Sequence, residues 1–213
     1  MKATAVIPVK RFRDAKQRLA LGIETGRRRA LAAAMLEDVL AAVAAARTVE
    51  RTIVVTGDPA AQEIAAANSV EVLPDPDDQG HVVAALAGAA RAEAEGATCV
   101  ALLPGDCPLL DPRELDRLLT GIPAQYVAIV PDRHGTGTNA VVLSPPDAIR
   151  PAFGEGSRDR HVAAAREAGI PFAVEELDSL ALDLDTPADI VALTRALEAM
   201  PGRARQTARV LGL

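Results

Sequence analysis

Short apolar segments alternate with helical patterns along the chain. The first apolar run is Ala3–Val9, and similar runs recur at positions 52–56, 70–73, 99–103, 126–130, 140–143 and 172–175. Between the first two runs, Leu36, Val39, Leu40 and Val43 follow the i, i+3, i+4, i+7 spacing of one apolar helix face. Short apolar runs bounded by turn residues are typical of buried strands. Strands that alternate with helices predict an α/β fold, in which a mainly parallel sheet is flanked by helices.

Nothing in the sequence divides the chain into separate units. It shows no internal repeat, no low-complexity linker and no change in composition. Its 213 residues are also too few for two ordinary enzyme domains. We therefore predict a single domain over residues 1–200, followed by a C-terminal tail at 201–213 that is loosely held.

Composition argues against several classes of protein. Aromatic residues make up 2 % of the chain and the net charge is −6, which argues against a nucleic-acid binder. Two cysteines cannot build a disulfide framework. No apolar run reaches the roughly 18 residues that a membrane helix needs, and the first residues lack the pattern of a signal peptide. We expect a cytoplasmic protein that binds neither nucleic acid nor a membrane.

Basic residues concentrate directly after the first predicted strand. Lys10, Arg11, Arg13, Lys16 and Arg18 fall within nine positions, and two of the three lysines of the chain are among them. Ligands of α/β sheets bind beyond the carboxyl ends of the strands, and an ammonium group suits a triphosphate. The loop therefore predicts a phosphate site, although a solvated basic turn would explain it equally well.

Acidic residues stand at two places that suit a cation. Asp106 directly follows a predicted strand, and Asp183 and Asp185 lie two apart on a segment predicted to be extended, so both point to one face. Such close carboxylates repel unless a cation such as Mg²⁺ lies between them. A turn or helix cap is the alternative for Asp106 and Asp185, but it does not explain Asp183. Just beyond, Thr186 and Asp189 stand at the N-cap and N3 positions of a predicted helix.

Two loops with glycines are candidate anion sites. Residues 134–139 (His-Gly-Thr-Gly-Thr-Asn) connect two predicted strands, and a flexible hairpin explains them as well as an anion site does. This loop is neither a Walker A motif nor a dinucleotide fingerprint. Residues 153–157 (Phe-Gly-Glu-Gly-Ser) open a helix whose first N–H groups can hold an anion, with a simple capped helix start as the alternative. The three histidines do not cluster in the sequence, and we expect each to be structural or at the surface.

Several segments occur in the order of one known family. They are residues 7–10 (Ile-Pro-Val-Lys) with 16–19 (Lys-Gln-Arg-Leu), 35–40 (Met-Leu-Glu-Asp-Val-Leu), 105–109 (Gly-Asp-Cys-Pro-Leu), 131–133 (Pro-Asp-Arg) with 137–140 (Gly-Thr-Asn-Ala), 153–157 with His161, and 182–189 (Leu-Asp-Leu-Asp-Thr-Pro-Ala-Asp). Together they resemble the CofC/FbiD guanylyltransferases of coenzyme F420 biosynthesis. The resemblance implies a Rossmann-like mixed sheet of the nucleotide-diphospho-sugar transferase type, in a single domain.

The resemblance also implies a reaction. A phosphorylated three-carbon acid would attack the α-phosphorus of GTP and release pyrophosphate, with Mg²⁺ as cofactor. Phosphoenolpyruvate is our first choice of acid, followed by 2-phospho-L-lactate or 3-phospho-D-glycerate. The product would pass to the transferase that builds the F420 side chain. A homodimer is also expected, because the Ala-rich helices present flat apolar faces.

Site residues carry over from the resemblance position by position. The metal ligands would be Asp106, Asp183 and Asp185, and the acid would be held by Thr138, Gly154 and Ser157. The nucleotide would be held by Lys10, Lys16, Arg18 and Gly80. The catalytic groups would be Lys10, Lys16 and Asp106.

The chain departs from the family pattern at one point that bears on the nucleotide. Gly80-His81-Val82 stands where Gly-Leu-Asn is usual, at positions expected to face the base. The alternatives that remain are a nucleotidyltransferase for a sugar phosphate or molybdopterin, and a non-catalytic nucleotide-binding subunit. The segment 153–161 disfavours the first, and the retained aspartates and lysines disfavour the second.

Overall fold

In the computed structural model, residues 3–13, 24–200 and 202–213 are described. These residues form seven strands and eight helices. The strands are β1 (Ala3–Val9), β2 (Val49–Thr56), β3 (Glu71–Pro74), β4 (Cys99–Leu102), β5 (Tyr126–Pro131), β6 (Thr138–Ser144) and β7 (Phe172–Val174). The helices are α1 (Thr25–Ala45), α2 (Pro59–Ala67), α3 (His81–Ala94), α4 (Pro112–Leu119), α5 (Ser157–Glu167), α6 (Asp178–Ala181), α7 (Pro187–Ala199) and α8 (Arg205–Leu211).

The strands form one mixed sheet in the order β3-β2-β1-β4-β6-β5-β7. Strand β6 is antiparallel to both of its neighbours, β4 and β5, whereas every other neighbouring pair is parallel. The predicted mainly parallel sheet is therefore confirmed. Because β6 runs in the opposite direction, its first residue, Thr138, lies at the same edge as the carboxyl ends of the parallel strands.

Both faces of the sheet are buried by helices. Alternate residues of β1 show this arrangement: Ala5 and Ile7 pack in a core with α1, whereas Val6 packs in a second core with α3. Strands covered on both faces need continuous apolar runs, which explains why residues 3–8 are all buried. None of the helices in the described part of the chain is long and apolar enough to cross a membrane.

The last residues differ from the loosely held tail that the sequence suggested. Helix α8 is held at its start by Asp38 of α1, which accepts the backbone N–H groups of Gln206 at 3.0 Å and Thr207 at 2.8 Å. These N–H groups belong to the first turn of α8 and have no partner within the helix. Arg203 also lies 2.9 Å from the Asp111 carboxylate. The C-terminal segment thus packs on the domain, and the domain boundary at residue 200 stays a prediction.

Candidate active site

A cleft of about 820 Å³ opens beyond the carboxyl ends of β1, β4 and β5. Six of the residues predicted from the sequence line it, namely Lys10, Asp106, Thr138, Gly154, Asp183 and Asp185. They come from five separate segments of the chain, which the order of the strands brings to one edge of the sheet. The cleft is therefore the candidate active site.

The loop after β1 brings Lys10 to the cleft. The backbone N–H of Phe12 donates to the Asp58 carboxylate at 2.8 Å, and the guanidinium of Arg11 donates to the carbonyl of Pro76 at 2.7 Å. The loops after β2 and β3 thus support the β1 loop. Lys10, which directly precedes Arg11 and Phe12, is exposed and lines the cleft. Lys16 and Arg18, the other basic residues predicted to bind the nucleotide, lie outside the described residues.

The loop after β4, the strand next to β1 in the sheet, brings Asp106 to the cleft. Pro104 and Gly105 line the cleft beside it. The next residue, Cys107, is fully buried, and its Sγ lies 3.6 Å from the carbonyl oxygen of Leu180. Cys107 therefore packs as a small apolar residue, and it connects the Asp106 loop to the segment that leads to Asp183.

Two hydrogen-bonded contacts hold the segment that carries Asp183 and Asp185. The Asn139 amide donates to the carbonyl of Leu180 at 2.6 Å, which ties the segment to β6. On the other side, the Asp189 carboxylate accepts the backbone N–H of Asp185 at 2.9 Å. The same segment is thereby fixed before and after the two aspartates.

Asp189 is a buried charged residue in the first turn of α7. It accepts the backbone N–H of Thr186 at 2.6 Å, which is half of a capping box, and lies 2.5 Å from the guanidinium of Arg133. Burial alone would raise the pKa of this carboxyl group. The N–H donors and Arg133 outweigh burial and lower the pKa of Asp189, so the group is held as a carboxylate.

The carboxylates of Asp106, Asp183 and Asp185 line one cleft, although within the described ranges no three Asp, Glu, His or Cys side chains are grouped closely enough to hold a metal ion. Carboxylate oxygens are the ligands that Mg²⁺ prefers. It is usually held by one or two carboxylates together with substrate phosphates and water. The donor chemistry therefore fits a divalent ion whose coordination nucleotide phosphates complete. A site made of all three aspartates stays a prediction.

The residues predicted to hold the acid differ in whether they reach the cleft. Thr138 and Gly154 line the cleft, and Gly154 has φ +106°, a conformation that favours glycine. Ser157 is fully buried and does not line the cleft. Its Oγ has no hydrogen-bond partner within the described residues, although buried hydroxyl groups normally have one. Its role in binding the acid stays a prediction.

From the sequence, His81 was expected to face the base and Phe153 to lie in a candidate anion loop, but neither was named as a site residue. Both line the cleft, and their rings make an edge-to-face contact with centroids 4.7 Å apart. Burial lowers the pKa of His81, the positive charge of Lys10 acts in the same direction, and the Asp106 carboxylate opposes them. His81 therefore lies within electrostatic reach of both Lys10 and Asp106. The departure from the family pattern at this position was the only sequence signal that pointed to it.

Gly80, predicted to contact the nucleotide, precedes His81 at the start of α3. Its φ of +104° favours glycine, and a Cβ placed there would meet no heavy atom within 4 Å. The residue is therefore needed for the turn that starts α3, not to make room for a neighbour. Gly80 itself does not line the cleft, whereas His81 and Val82 do.

Solved structures of other proteins share this fold. A Desulfovibrio desulfuricans protein described as a nucleotide-diphospho-sugar transferase matches 99 % of this chain and 94 % of its own, with a TM-score of 0.78 and 18 % identity. A Mycobacterium tuberculosis protein in complex with manganese matches 92 % of this chain and all of its own, with a TM-score of 0.59 and 21 % identity. At such identities the likeness concerns the fold alone, and it confirms the predicted fold type.

Closer relatives identify the family. A phosphoenolpyruvate guanylyltransferase of Conexibacter woesei is 47 % identical over 99 % of this chain and 96 % of its own. Another from Sphaerobacter thermophilus is 41 % identical over 89 % of this chain and 91 % of its own. The family described as "Guanylyl transferase CofC like" matches residues 3–205. The chain therefore belongs to the CofC-like guanylyl transferase family, as the six sequence segments predicted.

Proposed function

We propose that this chain transfers the GMP group of GTP to phosphoenolpyruvate and releases pyrophosphate, with Mg²⁺ as the divalent ion. The chain is a nucleotidyltransferase of the CofC-like family. Relatives from Conexibacter woesei, Sphaerobacter thermophilus and Thermomonospora curvata are named phosphoenolpyruvate guanylyltransferases, which supports this acid as the acceptor. The family also implies a role in coenzyme F420 biosynthesis.

One structural observation carries the proposal. A single cleft is lined by a lysine suited to phosphates, three carboxylates suited to a divalent ion, and the Thr138 and Gly154 positions suited to a small anion. The two substrates of a guanylyl transfer are both anionic and must meet at one point. A cleft of about 820 Å³ has room for a nucleotide and a three-carbon acid side by side.

The reaction needs no nucleophile from the protein. An oxygen of the acid's phosphate forms a bond to the α-phosphorus of GTP. The bond from the α-phosphorus to the oxygen that bridges to the β-phosphorus breaks, and pyrophosphate leaves with that oxygen and the electron pair. Catalysis then consists of aligning the two oxygens and offsetting their negative charge.

The residues of the cleft would have separate roles in this reaction. Lys10 would hold the phosphates of the nucleotide, and Thr138 and Gly154 would hold the acid. Asp106, Asp183 and Asp185 would hold the divalent ion, which offsets charge on the phosphates when bound. The contacts of Asn139 and Asp189 would keep the last two aspartates in place. Lys16, Arg18 and Ser157 stay predicted members of the site.

Identification of the product tests the proposal. Purified protein with GTP and Mg²⁺ is incubated separately with phosphoenolpyruvate, 2-phospho-L-lactate and 3-phospho-D-glycerate. We expect pyrophosphate and a product with the mass of a guanosine-diphospho-linked acid, formed fastest with phosphoenolpyruvate. A matched series with ATP and CTP tests the base, at which His81 departs from the family pattern.

Two outcomes would contradict the proposal. Faster reaction with a sugar phosphate or molybdopterin than with any of the three acids would point to another branch of the superfamily. Absence of pyrophosphate with every acid and nucleotide would show that the protein does not catalyse guanylyl transfer. A homodimer and delivery of the product to the side-chain transferase stay separate predictions, to be tested by sedimentation and by coupled assays.

A further inference from the structure

The ring of His161 is enclosed directly behind the wall of the cleft. The side chain projects from α5, is fully buried and makes an edge-to-face contact with Phe153, with ring centroids 5.5 Å apart. Its Nδ1 lies 3.1 Å from Oγ1 of Thr138, which itself lines the cleft. Thr138 therefore separates His161 from the cleft, and His161 has no role in the proposed transfer.

The contacts of the ring decide which nitrogen carries the proton. The backbone N–H of Ala152 donates to Nε2 at 2.8 Å, so Nε2 must present a lone pair. A neutral imidazole that accepts at Nε2 carries its proton on Nδ1. Burial and the nearby charge of Arg160 outweigh a hydrogen bond to the backbone of Ser157 and lower the pKa of His161 to about 4, so the ring is neutral at pH 7.

This tautomer determines what the hydroxyl group of Thr138 can do. Because Nδ1 carries a proton, Oγ1 of Thr138 cannot donate to it and must accept. The hydroxyl group has one proton of its own, which is then available for another acceptor. Thr138 is 9 % exposed and borders the cleft, so an oxyanion in the cleft is within its reach.

We infer that His161 is a positioning residue of the acid site: its Nδ1–H holds Oγ1 of Thr138 so that the threonine hydroxyl donates its proton to the anionic acid. This inference rests on the proposed function. It explains why a histidine is placed behind a threonine and in reach of a backbone N–H. An aliphatic side chain could fill the same space, but it could neither accept a hydrogen bond from the Ala152 N–H nor donate one to Oγ1 of Thr138.

A matched pair of variants separates the two hydrogen bonds of the ring. His161→Asn can place an N–H donor near the position of Nδ1, but it cannot reach the Ala152 N–H. His161→Gln can place a carbonyl oxygen near the position of Nε2, but it provides no donor at Nδ1. Thr138→Val removes the hydroxyl group itself and is the reference for its complete loss.

Steady-state kinetics with GTP and phosphoenolpyruvate then tests the inference. We expect His161→Gln and Thr138→Val to raise the KM for the acid by about tenfold or more, since hydrogen bonds to charged groups are among the stronger ones. The KM for GTP should stay within about twofold, and His161→Asn should retain most of the affinity for the acid. Equal KM values for the acid in His161→Gln and the unchanged protein would overturn the inference.

A spectroscopic measurement tests the tautomer without relying on activity. The chain has three histidines, so long-range ¹H–¹⁵N spectra of labelled protein can be assigned with single His→Asn variants. We expect His161 to be neutral with its proton on Nδ1 at pH 7. A proton on Nε2 would overturn the inference even if the enzyme is active. Full activity with unchanged KM values in every variant would overturn the inference and leave the proposed function intact. If the protein without any substitution is inactive, both the proposed function and the inference are wrong.

Discussion

The guanidinium of Arg133 lies 2.5 Å from the carboxylate of Asp189, a buried residue in the first turn of α7. Arg133 belongs to the β5–β6 connection, and its backbone N–H donates to the carbonyl of Ala181 at 2.9 Å. Asp189 holds the backbone of Asp185. The pair thus joins the loop on the acid side of the cleft to the segment that carries two of the predicted metal ligands, so the two parts of the site are coupled.

Replacement of Asp189 by Asn should loosen this connection. The variant loses the negative charge that accepts several N–H groups and faces Arg133, so we expect the free energy of unfolding to fall by about 2 kcal/mol. Turnover should fall as well, because the backbone that carries Asp185 is no longer held. Chemical denaturation and steady-state kinetics measure the two effects. Glu198→Gln removes an exposed carboxylate from the same helix and should change neither.

Alanine substitutions at two glycines should have opposite effects on stability. A Cβ at Gly80 or at Gly26 would meet no heavy atom within 4 Å, but Gly80 has φ +104° whereas Gly26 lies in α1. We expect Gly80→Ala to destabilise the protein by about 1 kcal/mol, because an L side chain is strained at that φ. Gly26→Ala should stabilise it by up to about 1 kcal/mol through helix propensity. Thermal unfolding of both variants checks this, and stabilisation by Gly80→Ala would contradict the backbone argument.

Asp106→Asn should abolish turnover and leave the fold intact. If Asp106 helps to hold a divalent ion, loss of its charge weakens the binding of that ion, and the negative charge of the phosphates is then less well offset. Pyrophosphate release should also stop when divalent ions are removed by a chelator, and it should return when Mg²⁺ is added back. Asp147→Asn, at an exposed aspartate that does not line the cleft, is the control. Normal turnover of Asp106→Asn over a range of Mg²⁺ concentrations would exclude the metal role.

Acid should destabilise the protein partly through His161. Its pKa is about 4 in the folded state, against 6.5 as the ordinary value, so the unfolded chain binds a proton there between these values while the folded chain does not. The stability that depends on the neutral ring is present above about pH 6.5 and is lost as the pH falls towards 4. As the pH falls from 7 to 5, protonation at this site should lower the free energy of unfolding by about 2 kcal/mol.

Comparison of variants isolates that contribution from other titrating groups. The unchanged protein should lose about 2 kcal/mol more than His161→Asn over the same change of pH, measured by urea denaturation. His134→Asn replaces an exposed ring and serves as the control. Equal losses in the unchanged protein and His161→Asn would show that the buried ring is not neutral in the folded state.

Sequence reasoning succeeded where a feature depends on neighbours along the chain. The run Ala3–Val9 predicted β1 with its observed bounds, and Thr186 with Asp189 predicted the capping box of α7. The sequence prediction was less complete for residues that contact several partners. Asp189 was predicted as a helix cap, but its contacts with Asp185 and Arg133 were not foreseen. The histidines were expected to be structural or at the surface, although the departure from the family pattern placed His81 near the base; in the structure His81 lines the cleft.

The sequence by itself determined the alternation of strands and helices, the local caps and, through the ordered motifs, the family. These features follow from the spacing of residues within one element, so they can be recognised before the chain is folded. Only the tertiary structure decided that Asp38 caps α8, that His161 stands behind Thr138, and that six predicted site residues from five segments line one cleft. Such contacts join residues far apart in sequence, and they exist only once the strand order has brought those segments to one edge of the sheet.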